Sequence, residues 1–568
     1  MSFCLKLFSK KEYKRPLQTG FQNLATSDVN AIWYAEDLQG QPVSNESFDG
    51  TQRIILGDLI KDADFSEDSI GPWLLKTRGN FICLSIGNDK IEIASSVFSI
   101  LPIFYLEEKD VTWISDRMET LIEIAKPEII LSKEHLLERL FFNYSLTDRT
   151  WIESIKQFSA NTIYIFKNGD SSFRQYLNLF DLYVHSPRNL KESRQELVDL
   201  FSKNIEQYLP NEKYASAFTG GFDGRCVVAA GLKAGREFES YSFGISSASD
   251  VDIPKRAAAR IGFNYKSIDL TPNYLEKEFR IQGEEMVNES NGMSTISRAH
   301  YRFGAILLSK RFKYLLSGNF GSELFRSAHL DGVMTSNVFY SWLKEGLPQN
   351  IIKLKEQFTA FSFLNEEEFA KAYDRLRNDL VEKRKKIPSI PLNSQLYYLM
   401  WTDTLRNYFG PELSMQLKYL VHRSPFLDFE FYKALQGTEY SGAFGNFRER
   451  NLAKRIKGQL FYAHFLKKNS KGLFKTITGK GYKPSDIVNP IGLVRVSFAK
   501  LLKAKNPADK DPLLANQGFK ENRSVWSDSL SDWENLFSNI SSVDSRSLKT
   551  LISGRIYLKH LQAKRNQS

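Results

Sequence analysis

Cysteine is scarce in this chain: Cys4, Cys83 and Cys226 are its three, widely spaced and odd in number. They offer no disulfide framework and no zinc-ligand spacing, which suits a reducing compartment. Any apolar run near the ~20 residues of a membrane helix is also missing. Met1 to Phe8 is too short and too soon basic for a secretory signal. A cytoplasmic protein without membrane contact is the expectation. There is no Gly-x-x-x-x-Gly-Lys-Ser/Thr run for Walker-type chemistry, no internal repeat and no low-complexity tract.

What is present is the balance of a soluble globular chain: 568 residues, 42% hydrophobic and 25% charged, enough for about two to four domains. The net charge of +11 comes from 77 basic against 66 acidic residues. Basic clusters at 383–386, 448–457, 467–471 and 495–510 read first as solvated helix faces. Alternatively they attract an anionic substrate or leader peptide, a polyanionic glycan or nucleic acid. Aromatic residues fall inside apolar stripes rather than alternating with basic ones, so a nucleic-acid platform is not indicated.

The most informative stretch is Thr219-Gly220-Gly221-Phe222-Asp223-Gly224-Arg225. It follows a strand pattern at Tyr214 to Phe218 and precedes an apolar-faced helix from Val227 to Leu232. Glycines let backbone N–H groups close on an anion, and the positive end of the helix points at the loop. Thr219 offers a hydroxyl, Arg225 a fixed positive charge, and Asp223 stands where a magnesium ligand is needed. An ordinary tight turn is the plain alternative. Further strand patterns at Glu239 to Gly244, Tyr265 to Leu270 and Lys313 to Ser317, with a helix pattern at Asp250 to Gly262 between, argue for a parallel α/β sheet. In such a sheet ligands sit beyond the carboxyl ends of the strands. Ser317-Gly318 ends the fourth strand on the same rim as Thr219, and a second polar turn, Asn319 to Phe325, follows it.

These segments resemble the asparagine synthetase family, whose loop reads Ser-Gly-Gly-x-Asp-Ser and whose second turn reads Ser-Gly-Glu-Gly-x-Asp-Glu-x-Phe. His422-Arg423-Ser424-Pro425-Phe426-Leu427-Asp428 is similar to that family's Arg-x-Pro-Phe-Leu-Asp, and Lys480-Gly481-Tyr482 looks like its catalytic-lysine segment. The resemblance covers roughly 71–490, is strongest over 217–323, and extends to β-lactam synthetases and lasso-peptide cyclases. It implies an α/β synthetase domain of the adenine nucleotide α-hydrolase-like, ATP-pyrophosphatase (PP-loop) type with many helices. A carboxylate is adenylated by Mg-ATP and captured by a nitrogen nucleophile, with AMP and pyrophosphate released.

On this resemblance Gly220, Gly221, Thr219, Gly224 and Arg225 hold the pyrophosphate and Asp223 coordinates Mg2+. Phe243, Ser317 and Gly318 border the adenine, and Lys480 stabilises transition-state charge. The chain departs from the pattern in four places: Thr219 for the first Ser, Gly224 for the last, Asn319 for Glu, and Ser322 for a metal-binding Asp. Glu323 is the replacement ligand, or else a glutamate favouring the helix dipole. Arg423 and Asp428 read as a structural turn and ion pair.

Residues 1–180 resemble a degenerate class II glutamine amidotransferase, an Ntn-like α+β sandwich without catalysis. Strand patterns lie at 79–83, 91–95, 101–105, 113–116 and 163–166, whereas Lys6 to Arg15 is basic and strand-poor. Position 2 is Ser2 rather than the terminal cysteine of glutamine-dependent members, Cys4 would need longer trimming, and no Arg-Gly-Pro-Asp-like run is present. Glutaminase activity is therefore not expected. Nitrogen would come from free ammonia, from a partner glutaminase, or from an amine on a small-molecule or peptide carboxylate substrate. The ATP-pyrophosphatase part spans 190–330, and 331–568 reads as mostly helical, with helix patterns at 367–385, 394–408 and 547–565 and Lys480 in a 469–490 loop. Two rival readings stand: a pseudoenzyme or binding scaffold, motivated by Gly224, Asn319 and Ser322, and an RNA-modifying ATP-pyrophosphatase, motivated by the pI near 9.1. Oligomeric state is not legible in the sequence.

Overall fold

The computed structural model of the chain describes residues 2–8, 22–26, 30–35, 43–48, 51–61, 69–87, 90–167, 169–325, 335–445, 456–505, 511–528 and 530–567. Among the described residues twelve strands come first: β1 Ser2–Phe8, β2 Gln22–Thr26, β3 Asn30–Ala35, β4 Val43–Phe48, β5 Thr51–Lys61, β6 Arg78–Ile86, β7 Lys90–Ser95, β8 Phe104–Glu108, β9 Val111–Ser115, β10 Ile155–Gln157, β11 Thr162–Lys167 and β12 Asp170–Gln175. They make two antiparallel six-stranded sheets, ordered β10-β8-β9-β1-β3-β2 and β12-β11-β7-β6-β5-β4. Alternating apolar residues of both sheets meet in one core, with Leu5 and Ile114 from the first and Ile54, Leu84, Ile93 and Tyr164 from the second. The outer face of the first sheet is covered by helices Met118–Ala125 and Lys133–Phe142, and that of the second by the short helix Ile70–Leu74. The region is thus layered α-β-β-α.

One expectation is corrected here. The basic Lys6-to-Arg15 stretch was expected to lack strand, yet residues 2–8 form β1 in the middle of the first sheet. Its period of two explains this, since Phe3, Leu5 and Leu7 enter the inter-sheet core while Lys6 leaves it and lies over the Trp113 ring. Residues 9–15 lie outside the described residues, as do 448–455 of the second basic cluster and 506–510 of the last.

The remaining strands, β13 Tyr214–Ala217, β14 Phe238–Gly244, β15 Asn264–Asp269, β16 Tyr314–Leu316 and β17 Val421–Arg423, form one parallel sheet ordered β15-β14-β13-β16-β17. Helices Asp223–Lys233, Ser249–Ile261 and Leu190–Tyr208 pack on one face, and Ala299–Ser309 covers the other through Ala305 and Leu308. The chain steps outward from β13 to β15 and then returns to the other side of β13 with β16. The strand order therefore reverses between β13 and β16, where open α/β sheets form their ligand crevice. β17 was not expected as a strand; it has three residues inside a segment read as a motif.

Beyond β16 the described chain is mainly helical. Helix Glu366–Lys386 starts on the Asn365 cap with three glutamates in its first turn and ends on Lys383 to Lys386, so that cluster complements the helix dipole. The 394–408 pattern is a helix from Leu392 to Leu399 that widens into a π-helix over Met400–Phe409. Among the described residues, no helix is long and apolar enough to cross a membrane.

Two ion pairs lock the sandwich to the parallel sheet. Arg423 donates from Nε and Nη2 to both Asp58 oxygens at 2.7 and 2.8 Å. Arg78 pairs through Nε with Asp428, which is fully buried and also accepts from Asn204, Tyr208 and the Phe431 backbone N–H. Arg423 and Asp428 therefore pair across the interface rather than with each other. Arg78→Met would leave Asp428 buried without its cation. It should destabilise the protein by about 3 kcal/mol or more, with much of that recovered in Arg78→Met/Asp428→Asn. Urea unfolding of the single and double variants checks this; equal stability of Arg78→Met and wild type would dismiss the pair as a fastener.

Candidate functional site

β13 is followed by the loop 218–222 and then, without a side-chain cap, by helix Asp223–Lys233. Thr219 is exposed at the strand end, and its Oγ1 accepts from the Gly221 N–H at 3.3 Å. A Cβ placed on Gly221 would meet nothing closer than that hydroxyl at 3.4 Å, so the loop presents open backbone there. Gly220 is closed in: its N–H points to Asp250 Oδ1 at 3.3 Å and its carbonyl accepts from the Gly479 N–H at 2.8 Å. Gly224 lies against the end of β13, where a Cβ would come within 2.6 Å of the Ala217 carbonyl oxygen.

The turn after β16 meets this loop backbone to backbone. A Cβ on Gly318 would come 2.4 Å from the Asp223 carbonyl carbon, and one on Gly321 would come 2.9 Å from both the Asp223 carboxylate and the Tyr462 hydroxyl. Between them Phe320 has φ +69°, an unusual value for a side-chain-bearing residue, held by burial against Phe409. β17 pins the same turn. His422 Nε2 lies 2.8 Å from Ser317 Oγ, which accepts from the Asn319 N–H, and the Ser424 hydroxyl donates to the Asn319 carbonyl at 2.7 Å.

Asp223 stands at the meeting point. The Ser322 hydroxyl donates to its Oδ2 at 2.7 Å. The buried Tyr462 phenol beside it is held well above the usual tyrosine range, first by desolvation and then by the Asp223 charge, with Glu323 adding to the effect. Glu323 lies close enough for its charge to act on the same phenol, and its backbone carbonyl accepts from Tyr397. Among the described residues no group of three or more His, Cys, Asp or Glu side chains could hold a metal ion by itself. Magnesium carried by a nucleotide asks for less, since it is held by one or two carboxylates together with phosphate oxygens. The open Gly221 backbone and the Asp223 carboxylate at a helix start fit that mode.

The other expected residues take different places. Arg225 is fully buried; its Nε donates to the Gly221 carbonyl of the loop at 3.4 Å and its Nη atoms donate to the carbonyls of Leu473, Thr476 and Ile477 at 3.0–3.3 Å. Burial pushes its pKa down to about 10, and the carbonyls satisfy the charge. It fastens the 473–477 segment to the loop instead of meeting phosphate. The turn this segment leads into, Thr478 to Tyr482, is closed by Thr478 N–H to the Tyr482 carbonyl and carries Gly481 at φ +83°. It holds Lys480 with Nζ 5.3 Å from the Phe222 ring centroid, and that ring stacks on Tyr462 at 5.6 Å. Phe243, near the end of β14, packs edge-on to His300 and Tyr301, and a Cβ on Gly304 would overlap its ring. Cys226 is buried and its thiol held well above the usual range, so it is inert filler. Sequence reasoning missed Tyr462 and the loop contact of Asp250, which reach the site from distant segments with no local motif to mark them.

Comparison with models of known protein families finds no match, and comparison with curated proteins finds none. Among solved structures the chain matches glutamine phosphoribosylpyrophosphate amidotransferase from B. subtilis complexed with ADP and GMP. That match has 10% identity and a TM-score of 0.18, and covers 42% of this chain and 59% of that one. It also matches a structure described as the allosteric regulatory enzyme of purine biosynthesis, with 11% identity and a TM-score of 0.20, covering 49% of this chain and 71% of that one. The chain thus spans less than two thirds of the first of these proteins, and likeness at this level carries no argument about activity.

Burial brings His422 down from its ordinary 6.5 to about 4. The imidazole stays neutral in the folded protein while the unfolded chain takes up a proton, so stability is full above pH 6.5 and falls as the pH drops towards 4. His422→Asn should flatten that acid limb by up to about 1.4 kcal/mol per pH unit. Unfolding midpoints of variant and wild type, measured between pH 7 and pH 4, would reject this account if their pH dependences coincide.

Proposed function

We propose that this chain is an ATP-dependent, AMP-forming amide ligase of the asparagine synthetase type. It would adenylate a small-molecule or peptide carboxylate and pass the acyl group to ammonia or to a substrate amine. The observation that carries this reading is the closure of two turns on Asp223 at the strand-order reversal, with the Lys480 turn hydrogen-bonded to Gly220. This arrangement matches the chemistry that the sequence resemblance implies: a backbone cradle for phosphate, one carboxylate at its lip and one lysine on an adjoining turn.

In this reading the N–H groups around Gly221, with the Thr219 hydroxyl, bind the β- and γ-phosphates, and the start of helix Asp223–Lys233 adds its positive end. Asp223 would hold Mg2+, which offsets charge on the leaving pyrophosphate. The substrate carboxylate attacks the α-phosphorus, the bond to the bridging oxygen breaks, and pyrophosphate departs. The nitrogen nucleophile then displaces AMP from the acyl carbon and loses a proton. Lys480 stabilises oxyanion charge as these bonds change, and Phe243 with the Ser317-Gly318 backbone borders the base. The α-β-β-α region is read as a degenerate amidotransferase-like domain. Cys4, the candidate for an exposed nucleophile, is fully buried inside β1, where desolvation raises its thiol pKa. Nitrogen is therefore assigned to free ammonia, a partner glutaminase or the substrate.

A second reading, a nucleotide-binding scaffold without turnover, is favoured by one contact: the Ser322 hydroxyl occupies the Asp223 oxygen that a shared metal would need. Asp223→Asn separates the two. A ligase loses carboxylate-dependent release of AMP and pyrophosphate by a factor of about 10³, with its unfolding midpoint kept; a scaffold shows no AMP release in wild type either. Lys480→Met should lower the rate of amide formation by about 10² while ATP affinity, measured by calorimetry, changes less than threefold. Equal losses in rate and affinity would make Lys480 a structural part of its turn.

A further inference from the structure

A second polar cavity, separate from the Gly221 loop, has a volume of about 210 Å³. Four parts of the chain enclose it: the last turn of helix Lys133–Phe142, the 293–298 connection, Tyr408 with Glu412, and the helix Ser545–Gln567. Its wall carries four basic side chains, Arg139, Arg298, Arg546 and Lys549, against the single carboxylate of Glu412. That carboxylate is already engaged, accepting from Arg298 Nε at 2.8 Å.

Arg139 is what makes the cavity unusual. It is only 2% exposed, yet its Nε and Nη1 have no hydrogen-bond partner, and the Ser297 hydroxyl on the same wall is also buried without one. A guanidinium removed from water and left without an acceptor is unfavourable, so buried arginines normally meet a carboxylate, a phosphate or carbonyls. Arg225 shows the ordinary solution in this same protein, with four carbonyls around it. Among the described residues no acidic side chain pairs with Arg139. Desolvation brings its pKa only to about 10, which leaves it cationic at neutral pH. Space for a ligand, fixed positive charge and unmet donors coincide in one place.

We propose that this cavity is a binding site for an oxyanion group, a phosphate or a carboxylate of a small molecule. Arg139 and Ser297 donate to it from inside, and the half-buried Arg546 admits it at the rim beside Lys549, whose ammonium also donates to Asn516 Oδ1 at 3.1 Å. Arg298 links the cavity to the neighbouring crevice, because its guanidinium lies 5.9 Å from the Tyr301 ring, which in turn packs against Phe243. The inference stands on the cavity itself and does not require the ligase reading.

Calorimetric titration of the full chain in chloride buffer with inorganic phosphate, and separately with succinate, tests it. One saturable site is expected for at least one anion, weakened tenfold or more in Arg139→Gln. Binding of phosphate alone assigns a phosphorylated ligand, and binding of succinate alone a carboxylate. Should Arg139→Gln fail to fold, Arg546→Gln/Lys549→Gln, which alters only the half-buried rim, is expected to show the same loss. Gly221→Glu, which places a negative charge in the loop after β13, should leave this binding intact. The proposal is overturned if neither anion binds, if the rim variant binds as wild type does, or if Gly221→Glu abolishes binding.

Discussion

The candidate site depends on a contact that side chains would forbid. The turn after β16 crosses the turn after β13 so closely that Gly318 rests on the peptide between Asp223 and Gly224, and Gly321 fits between the Asp223 carboxylate and Tyr462. A methyl group at Gly318 would force the two turns apart, and one at Gly321 would displace the Asp223 carboxylate and the Tyr462 hydroxyl. The strain of that approach is visible in Phe320, whose left-handed backbone is maintained by its buried ring. Once the turns are closed, Asp223 can point only into the space shared with Ser322 and Tyr462. The Gly220 carbonyl accepts from the Gly479 N–H, which precedes Lys480.

A second constraint is that one short segment serves both the site and the domain interface. Residues 421–428 supply the edge strand of the parallel sheet, the imidazole and hydroxyl that hold the second turn, and the two charged groups that reach the antiparallel sheets. A shift of the sandwich relative to the sheet would therefore pull on Ser317 and Asn319 through a chain of two or three bonds. Coupling of this kind needs no large motion, because each link is a buried hydrogen bond or ion pair whose loss is costly in a low-dielectric interior. The sandwich can thus matter to the site even as a domain without chemistry of its own.

How much of this could be read in the sequence follows from the range of the interactions. Four strands of the parallel sheet, the helices after the first two and the two glycine-bearing turns were legible, since each is encoded by short apolar runs and glycines within a few residues; the helices Phe279–Glu289 and Ala299–Ser309 were not. The three-residue β17 was not, because its pairing with Tyr314 to Leu316 is its only signal. Strand β1 was hidden by its lysine, although the alternation of Phe3, Leu5 and Leu7 was there to be seen. Arg225 shows the limit most clearly. The motif places a positive charge beside a phosphate loop, but which way the side chain turns is decided by the carbonyls of residues 473–477, nearly half the chain away. Tyr462 and the cluster around Arg139 are likewise assembled from distant segments.

The exchange of a carboxylate for Ser322 has a consequence for how metal would reach the site. Two carboxylates facing one another repel and gain by taking up a cation, even before a nucleotide arrives. Here Asp223 instead accepts a hydrogen bond from a neutral hydroxyl 2.7 Å away, which adds no charge to the centre. Glu323, one residue further on, contributes its field, and its backbone carbonyl accepts from the Tyr397 hydroxyl. A centre with one committed carboxylate has little to offer a free hydrated magnesium ion. Under the ligase reading Asp223 would hold an ion that the triphosphate oxygens also ligate, and the Ser322 hydroxyl competes for one of its two oxygens. The same two atoms thus separate a working ligase from a scaffold.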